Sequence, residues 1–292
     1  MRIIHDLTQA NLDSRSYVTI GVFDGVHRGH RQLIGGMAEA AHAAGKSAVV
    51  VAFDPHPAAA LGRTPPPLLT TMEERAKLLA PLGLDLLAAL PFTPETARTP
   101  ATDYVTTLIH HLRLAELWGG PDFAFGYRCE GDVPFLRRLG AERGFSVHIV
   151  APLVWDGKPV SSSRVRAALQ AGDIPQATGC LGRPYRLSGA IVPAGGEVGG
   201  EGVSSVGLSL PPGRLVPAAG VYACRAHTGQ RRVHPAVIEI GGGELVVSLR
   251  LPGLMGGSYG QTLVLDFVAR LGENGEQARE ALSKGADWKE LE

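Results

Sequence analysis

Through the first half of the chain, short continuous apolar runs alternate with helically spaced apolar stripes. Tyr17–Phe23 carries the β-branched residues Val18, Ile20 and Val22 and predicts a buried strand. Leu33, Ile34, Met37, Ala41 and Ala44 then recur at helical spacing and predict a helix over His30–Ala44. Ser47–Phe53 is apolar almost throughout, as in strands of a parallel sheet covered on both faces, and Leu84–Phe92 is the next such run. Thr71 followed by Glu74 reads as a capping box opening a helix to Leu79. Pro100 opens a helix with Tyr104, Leu108 and Leu112 along one face, Gly131–Gly144 is a further helix stopped by its last glycine, and Ser146–Val150 is a strand. Strands alternating with helices imply an α/β fold with a parallel sheet.

Beyond Leu181 the texture changes. Glycine is abundant and helical periodicity is lost, while Gly220–Ala223, Ala236–Ile240 and Leu245–Leu249 read as short strands joined by turns. Two domains are predicted, residues 1–181 and 182–292, the second all-β and closed by a helix over Gln277–Leu291.

Composition narrows the function classes. The 28 basic and 28 acidic residues balance, so no general electrostatic case exists for nucleic acid or a membrane surface as partner. Cys129, Cys180 and Cys224 are scattered without a Cys-x-x-Cys pair, which fits a reducing compartment and argues against a structural metal site. The N-terminus lacks a signal-peptide core and no apolar run is long enough to span a bilayer. A soluble, cytoplasmic protein is expected; its oligomeric state does not follow.

The chemistry concentrates at the first strand–helix junction, Gly21-Val22-Phe23-Asp24-Gly25-Val26-His27-Arg28-Gly29-His30. Glycines at 21, 25 and 29 permit sharp turns and close backbone approach to a ligand. A helix N-terminus presents unpaired N–H groups and the positive end of the dipole, so it attracts phosphate, and two imidazoles there add donors. The plainer alternative is two histidines capping a turn. In a parallel sheet ligands bind beyond the carboxyl ends of strands, where Asp54-Pro55-His56-Pro57 and the stretch Gly120–Asp132 also fall. Phe123 and Phe125 within Gly120–Gly126 either stack on a flat ring or fill the core. In Val160–Arg166 the consecutive serines suit an N-cap. Arg164 and Arg166 in the first turn oppose the helix dipole, a conflict that a bound anion removes.

The His27-Arg28-Gly29-His30 tetrad resembles the HxGH nucleotidyltransferases, and the longer string from Gly21 resembles the opening motif of the prokaryotic FAD synthetase family, the bifunctional riboflavin kinase/FMN adenylyltransferases. Gly120–Gly126 resembles that family's G-x-D-F-x-F-G segment. Val160–Arg166 resembles its I-S-S-T-x-I-R signature, with Ser163 for Thr and Val165 for Ile, and Leu181–Tyr185 its domain junction. The resemblance implies a Rossmann-like nucleotidyltransferase domain followed by a small antiparallel β-barrel with a C-terminal helix. It implies adenylyl transfer from ATP to FMN, with magnesium held mainly by ATP phosphates and no protein metal ligand. It implies that His27, His30 and Arg166 are catalytic, and that Gly21, Phe23, Asp24, Gly25, Gly29, Ser161, Ser162, Ser163 and Arg164 bind ATP. Asp54, His56, Asp122, Phe123, Phe125 and Gly126 are implied near the flavin.

The barrel departs from the family pattern. Its G-x-P-T-A-N segment has Gly202–Gly207 as counterpart, with Ser205 for Thr and Gly207 for Asn. The glutamate that the family uses as a base is replaced by Val246 or Ser248, and no acidic residue occurs between Leu245 and Val264, although a different gap would recruit Glu244. The sequence therefore predicts FAD formation from FMN and a barrel without riboflavin kinase activity; a bifunctional enzyme and a non-catalytic flavin- or nucleotide-binding protein are the alternatives.

Overall fold

A computed structural model describes residues 1–194, 204–227, 233–241, 244–249 and 259–272, together with Ala278 and Glu280. The chain forms two compact units, Met1–Ser161 and Ser162–Glu292. By this division the two helices before Leu181 group with the barrel.

In the first unit, strands β1 (Arg2–Ile4), β2 (Ser16–Gly21), β3 (Ser47–Phe53), β4 (Leu86–Leu90), β5 (Leu114–Gly119) and β6 (Ser146–Ile149) form one sheet in the order β1-β4-β3-β2-β5-β6. Every neighbouring pair is parallel. The crossover helices are α1 (Arg28–Ala43), α2 (Pro57–Ala60), α3 (Met72–Leu79), α4 (Pro94–Arg98), α5 (Ala101–Leu112) and α6 (Val133–Arg143), and a short hairpin, β7 (Val154–Trp155) with β8 (Lys158–Pro159), follows.

The continuous apolar run of β3 has a direct cause, because both of its faces are buried. Val49, Val51 and Phe53 pack into one core with Val105, Leu108 and Leu112 of α5 and Leu136 and Leu139 of α6. Ala48, Val50 and Ala52 pack into the other with Ile34, Met37, Ala38 and Ala41 of α1 and Ala76 and Leu79 of α3. Each such larger aliphatic side chain contributes about 1.5–3 kcal/mol on burial. The predicted capping box is present: the Thr71 hydroxyl accepts from the Glu74 N–H at 3.3 Å, and a Glu74 carboxylate oxygen accepts from the Thr71 N–H at 2.9 Å. Asp132 caps α6, and Gly144 ends it in the left-handed conformation. Strand β2 stops at Gly21, two residues before the predicted end, because Phe23 adopts a φ of 52°.

In the second unit, α7 (Ser162–Gln170) and α8 (Ile174–Leu181) precede six antiparallel strands, β9 (Arg186–Val192), β10 (Ser204–Ser209), β11 (Gly220–His227), β12 (Val233–Gly241), β13 (Glu244–Leu249) and β14 (Thr262–Gly272). They close into a barrel in the order β10-β13-β12-β11-β14-β9. Tyr222, Ile238, Val247, Val206 and Phe267 are buried, while their neighbours in sequence Val221, Ala223 and Val237 form a separate cluster with Ala278. The Asp266 carboxylate accepts both nitrogens of a forked Arg186 guanidinium at 2.6 and 2.7 Å and contacts His227 Nε2 at 2.8 Å. Burial raises its pKa, but these partners outweigh burial and hold it below the ordinary carboxylate range.

Ser205 and Ser248 face each other across β10 and β13 with their hydroxyls 3.0 Å apart. At Gly207 a Cβ would lie 2.8 Å from Val192 Cγ2 and 2.9 Å from the Pro193 carbonyl oxygen, so no side chain fits without displacement. Gly202, Val203, Gly256, the Glu244 side chain and, apart from Ala278 and Glu280, the closing helix lie outside the described residues.

Candidate active site

The strand order creates one topological switch point. From β2 the chain crosses to β3 and on to β4, whereas from β5 it crosses the opposite way to β6. The carboxyl ends of β2 and β5 therefore diverge, which is where open α/β sheets bind ligands. Two cavities open there. The smaller, about 340 Å³, is lined by Thr19, Phe23, His27, Gly29 and His30 from the β2 side and by Gly119–Phe123 after β5. The larger, about 680 Å³, is predominantly apolar and is lined by Phe53, Phe92, Tyr104, Phe123, Phe125 and Gly126 among others. Ile20, Gly21, Val22 and Phe123 line both, so the cavities share a wall.

The β2–α1 loop is wound unusually tightly. Phe23, Gly25 and Val26 all have left-handed φ values, 52°, 79° and 40°. For the β-branched Val26 this is a sparsely populated conformation costing about 1–3 kcal/mol, which surrounding structure must hold in place. Asp24 is one restraint. Its buried carboxylate accepts the Leu69 and Thr70 N–H groups and the Thr70 hydroxyl, each at 2.9 Å, and that hydroxyl accepts the Gly25 N–H. Asp24 and Gly25 thus face the 69–70 segment and line neither cavity.

His27 is itself the N-cap of α1, its Nδ1 accepting the His30 N–H at 3.2 Å. Its ring stacks on that of His30 with centroids 3.6 Å apart. An acceptor Nδ1 leaves the ring's proton on Nε2. The glycine in the His-x-Gly-His spacing has a steric reason, because a Cβ at Gly29 would lie 3.2 Å from His27 Cε1. Gly21 works similarly: a Cβ there would lie 3.0 Å from Phe23 Cζ, and the Phe23 ring stands edge-on to His30 at 5.2 Å. Both glycines make room for rings of the site. Burial first, then the neighbouring His27 and Arg75, push the His30 imidazole well below its ordinary pKa.

Buried polar atoms without hydrogen-bond partners among the described residues gather here. They include His30 Nδ1 and Thr19 Oγ1 at the smaller cavity and the Tyr104 hydroxyl at the larger. Native proteins seldom leave such atoms unsatisfied, and a site for a ligand accounts for them.

Of the residues expected near a flavin, Asp122 and Phe123 line the smaller cavity, and Phe123, Phe125 and Gly126 the larger. Phe125 contacts Tyr104 and Phe123 at ring distances of 5.5 and 5.6 Å. Asp54 and His56 line neither; Asp54 Oδ1 sits 3.6 Å from Arg75 Nη2, and His56 caps α2 through the Ala58 N–H. Ser161 ends the first unit, whereas Ser162, Ser163, Arg164 and Arg166 belong to the first turns of α7 in the second, with Val165 buried between the arginines.

Sequence reasoning missed Arg75. Its guanidinium is fully buried and donates to the carbonyls of Val22 at 2.9 Å and Phe53 at 3.2 Å, joining the carboxyl ends of β2 and β3. The available signal was a charge on the apolar stripe of α3, adjoining Ala76 and four residues before Leu79. Arg63 and Arg128, which line the larger cavity, were also missed. Glu130 has a structural role, as its carboxylate accepts the Ala101 N–H at 2.8 Å and caps α5.

Among the described residues no helix is long and apolar enough to cross a membrane. A sequence model of FAD synthetase matches residues 9–164, and one of riboflavin kinase matches residues 181–281. The bifunctional riboflavin kinase/FMN adenylyltransferase of Escherichia coli strain K12 is 33% identical over 253 residues, covering 86% of this chain and 80% of that protein. The protein so described from Pseudomonas fluorescens is 30% identical over 281 residues, covering 94% and 90%. A crystal structure described as a macrolide-efflux protein from Streptococcus pneumoniae superposes with a TM-score of 0.83 at 23% identity, covering 98% of this chain and 99% of that one, a likeness of fold. With both halves matched in sequence and relatives of one description covering most of its length, the chain belongs to the family of bifunctional riboflavin kinase/FMN adenylyltransferases.

Proposed function

We propose that the first unit transfers the adenylyl group of ATP to FMN, giving FAD and pyrophosphate. One observation carries the reading: a stacked imidazole pair at the N-terminus of α1, with Thr19 and Asp122, borders a cavity that shares a wall with a larger, aromatic-lined one. A triphosphate suits the first and a flat ring system the second. An oxygen of the FMN phosphate attacks the α-phosphorus of ATP as the bond to the pyrophosphate oxygen breaks, so no protein nucleophile is needed. Positioning and charge neutralisation carry such reactions. The Nε2–H of His27 donates to a phosphate oxygen, and His30 takes up a proton as negative charge enters its pocket. Phe123, Phe125 and Tyr104 hold the flavin, with Arg63 and Arg128 the cations lining that cavity for its phosphate. Ser162, Arg164 and Arg166, on the first two turns of α7, are proposed to bind phosphate oxygens through a hydroxyl and forked guanidinium groups. Magnesium, which prefers oxygen ligands and retains waters, is proposed to be held by ATP phosphates with the Asp122 carboxylate facing the same cavity, and when bound it neutralises phosphate charge.

A second activity, phosphorylation of riboflavin by the barrel, is supported by the riboflavin kinase match over residues 181–281. The test is the purified chain with ATP, magnesium and either FMN or riboflavin, with products separated by chromatography. FAD and pyrophosphate from FMN are expected; binding of flavin without product would support a non-catalytic binding protein instead.

A further inference from the structure

Antiparallel pairing lays two rows of side chains across one face of the barrel, since directly opposed residues project to the same side. One row runs Ala223, Val237, Ser248, Ser205. The next runs Val221, Glu239, Val246, Gly207, Val192. The intervening Tyr222, Ile238, Val247 and Val206 alternate with them along the strands and so point to the opposite side of the sheet. Glu239 and Val246 are thus direct cross-strand neighbours, with Cβ atoms about 4.5–5.5 Å apart. Both line a cavity of about 410 Å³ with Gly220, Val221, Ile240 and Gly241, and among the described residues of that lining Glu239 carries the ionisable side chain. On the same rim, Arg270 donates to the Ala219 carbonyl at 2.8 Å, its Nε 3.0 Å from where a Gly220 Cβ would stand. A carboxylate and a guanidinium therefore flank a recess on the face that carries the Ser205–Ser248 pair.

We propose that Glu239 is the general base of phosphoryl transfer to a primary hydroxyl in this recess, an inference that rests on reading the barrel as a riboflavin kinase. The hydroxyl proton passes to the Glu239 carboxylate as the hydroxyl oxygen bonds to the γ-phosphorus of ATP. The bond from that phosphorus to the β,γ-bridging oxygen breaks, and ADP leaves with its electron pair. The stretch Leu245–Val264 contains no acid, but strand pairing supplies one from β12 to the side of Val246.

The experiment compares the full chain with Glu239→Gln and Glu239→Asp, measuring FMN formed from riboflavin and MgATP across pH. FAD formed from FMN and MgATP by the same preparations reports an intact protein. Glu239→Gln is expected to lower kcat for riboflavin by about 10²–10⁴-fold and to abolish the acid limb of the pH profile, as loss of a positioned base does. Glu239→Asp should retain that limb at a reduced rate, with KM for riboflavin little changed in both. A wild-type chain that makes no FMN refutes the kinase reading itself. A wild-type chain that makes FMN while Glu239→Gln keeps its rate and acid limb refutes Glu239 alone.

Discussion

His27 combines two roles that substitution can separate. Its Nδ1 caps α1, and its ring stacks on His30 at 3.6 Å and lines the smaller cavity. Alanine removes both. Loss of a side-chain cap costs about 1 kcal/mol, within a range of roughly 0.5–2. In a domain the size of the first unit that is a fall in Tm of about 2–4 °C. Loss of one preorganised donor to a developing phosphate charge costs about 2.7–4 kcal/mol, or roughly a hundred- to a thousand-fold in kcat. Asparagine keeps a capping acceptor and lacks the imidazole. The expected pattern is therefore a lower Tm and a collapsed rate for His27→Ala, against a largely restored Tm and an equally collapsed rate for His27→Asn. Thermal melts and FAD formation from FMN and MgATP measure both. Near-normal turnover by His27→Asn would refute the catalytic assignment and leave the residue a helix cap.

Three further outcomes are expected. His30 has a depressed pKa in the folded protein, so its contribution to stability is complete above its unfolded value of about 6.5 and is lost as pH falls toward the folded one. ATP binding should take up a proton and tighten from pH 8 to 6, and calorimetry in buffers of different ionisation enthalpy measures that uptake. Arg75→Met should cost at least about 1–3 kcal/mol by stranding the Val22 and Phe53 carbonyls, and should raise the His30 pKa seen by NMR titration; an unchanged pKa would refute the electrostatic coupling. Arg166→Lys should raise KM for ATP, because an ammonium cannot reproduce a forked pair of hydrogen bonds, and unchanged kinetics would mark Arg166 as a solvated surface residue.

Much of this architecture is written in short-range pattern. The two-faced apolar run of β3, the stripe of α1, the Thr71–Glu74 capping box and the Gly144 stop each depend on residues within a turn or a strand of one another, so their physics is readable along the chain. The spacing His27-x-Gly29-His30 was legible for a related reason: the cap, the stacked rings and the missing Cβ all lie within one helical turn. Only the tertiary structure decided what Asp24 and Arg75 do. The carboxylate of Asp24 meets partners 45 and 46 residues away, and Arg75 meets carbonyls 53 and 22 residues away, so neither clamp leaves a local trace. The same holds in the barrel. Along the chain Val246 lies in a stretch without a carboxylate until Asp266, but antiparallel register sets Glu239 directly beside it, because neighbours in a sheet are chosen by hydrogen-bond pairing and not by sequence distance.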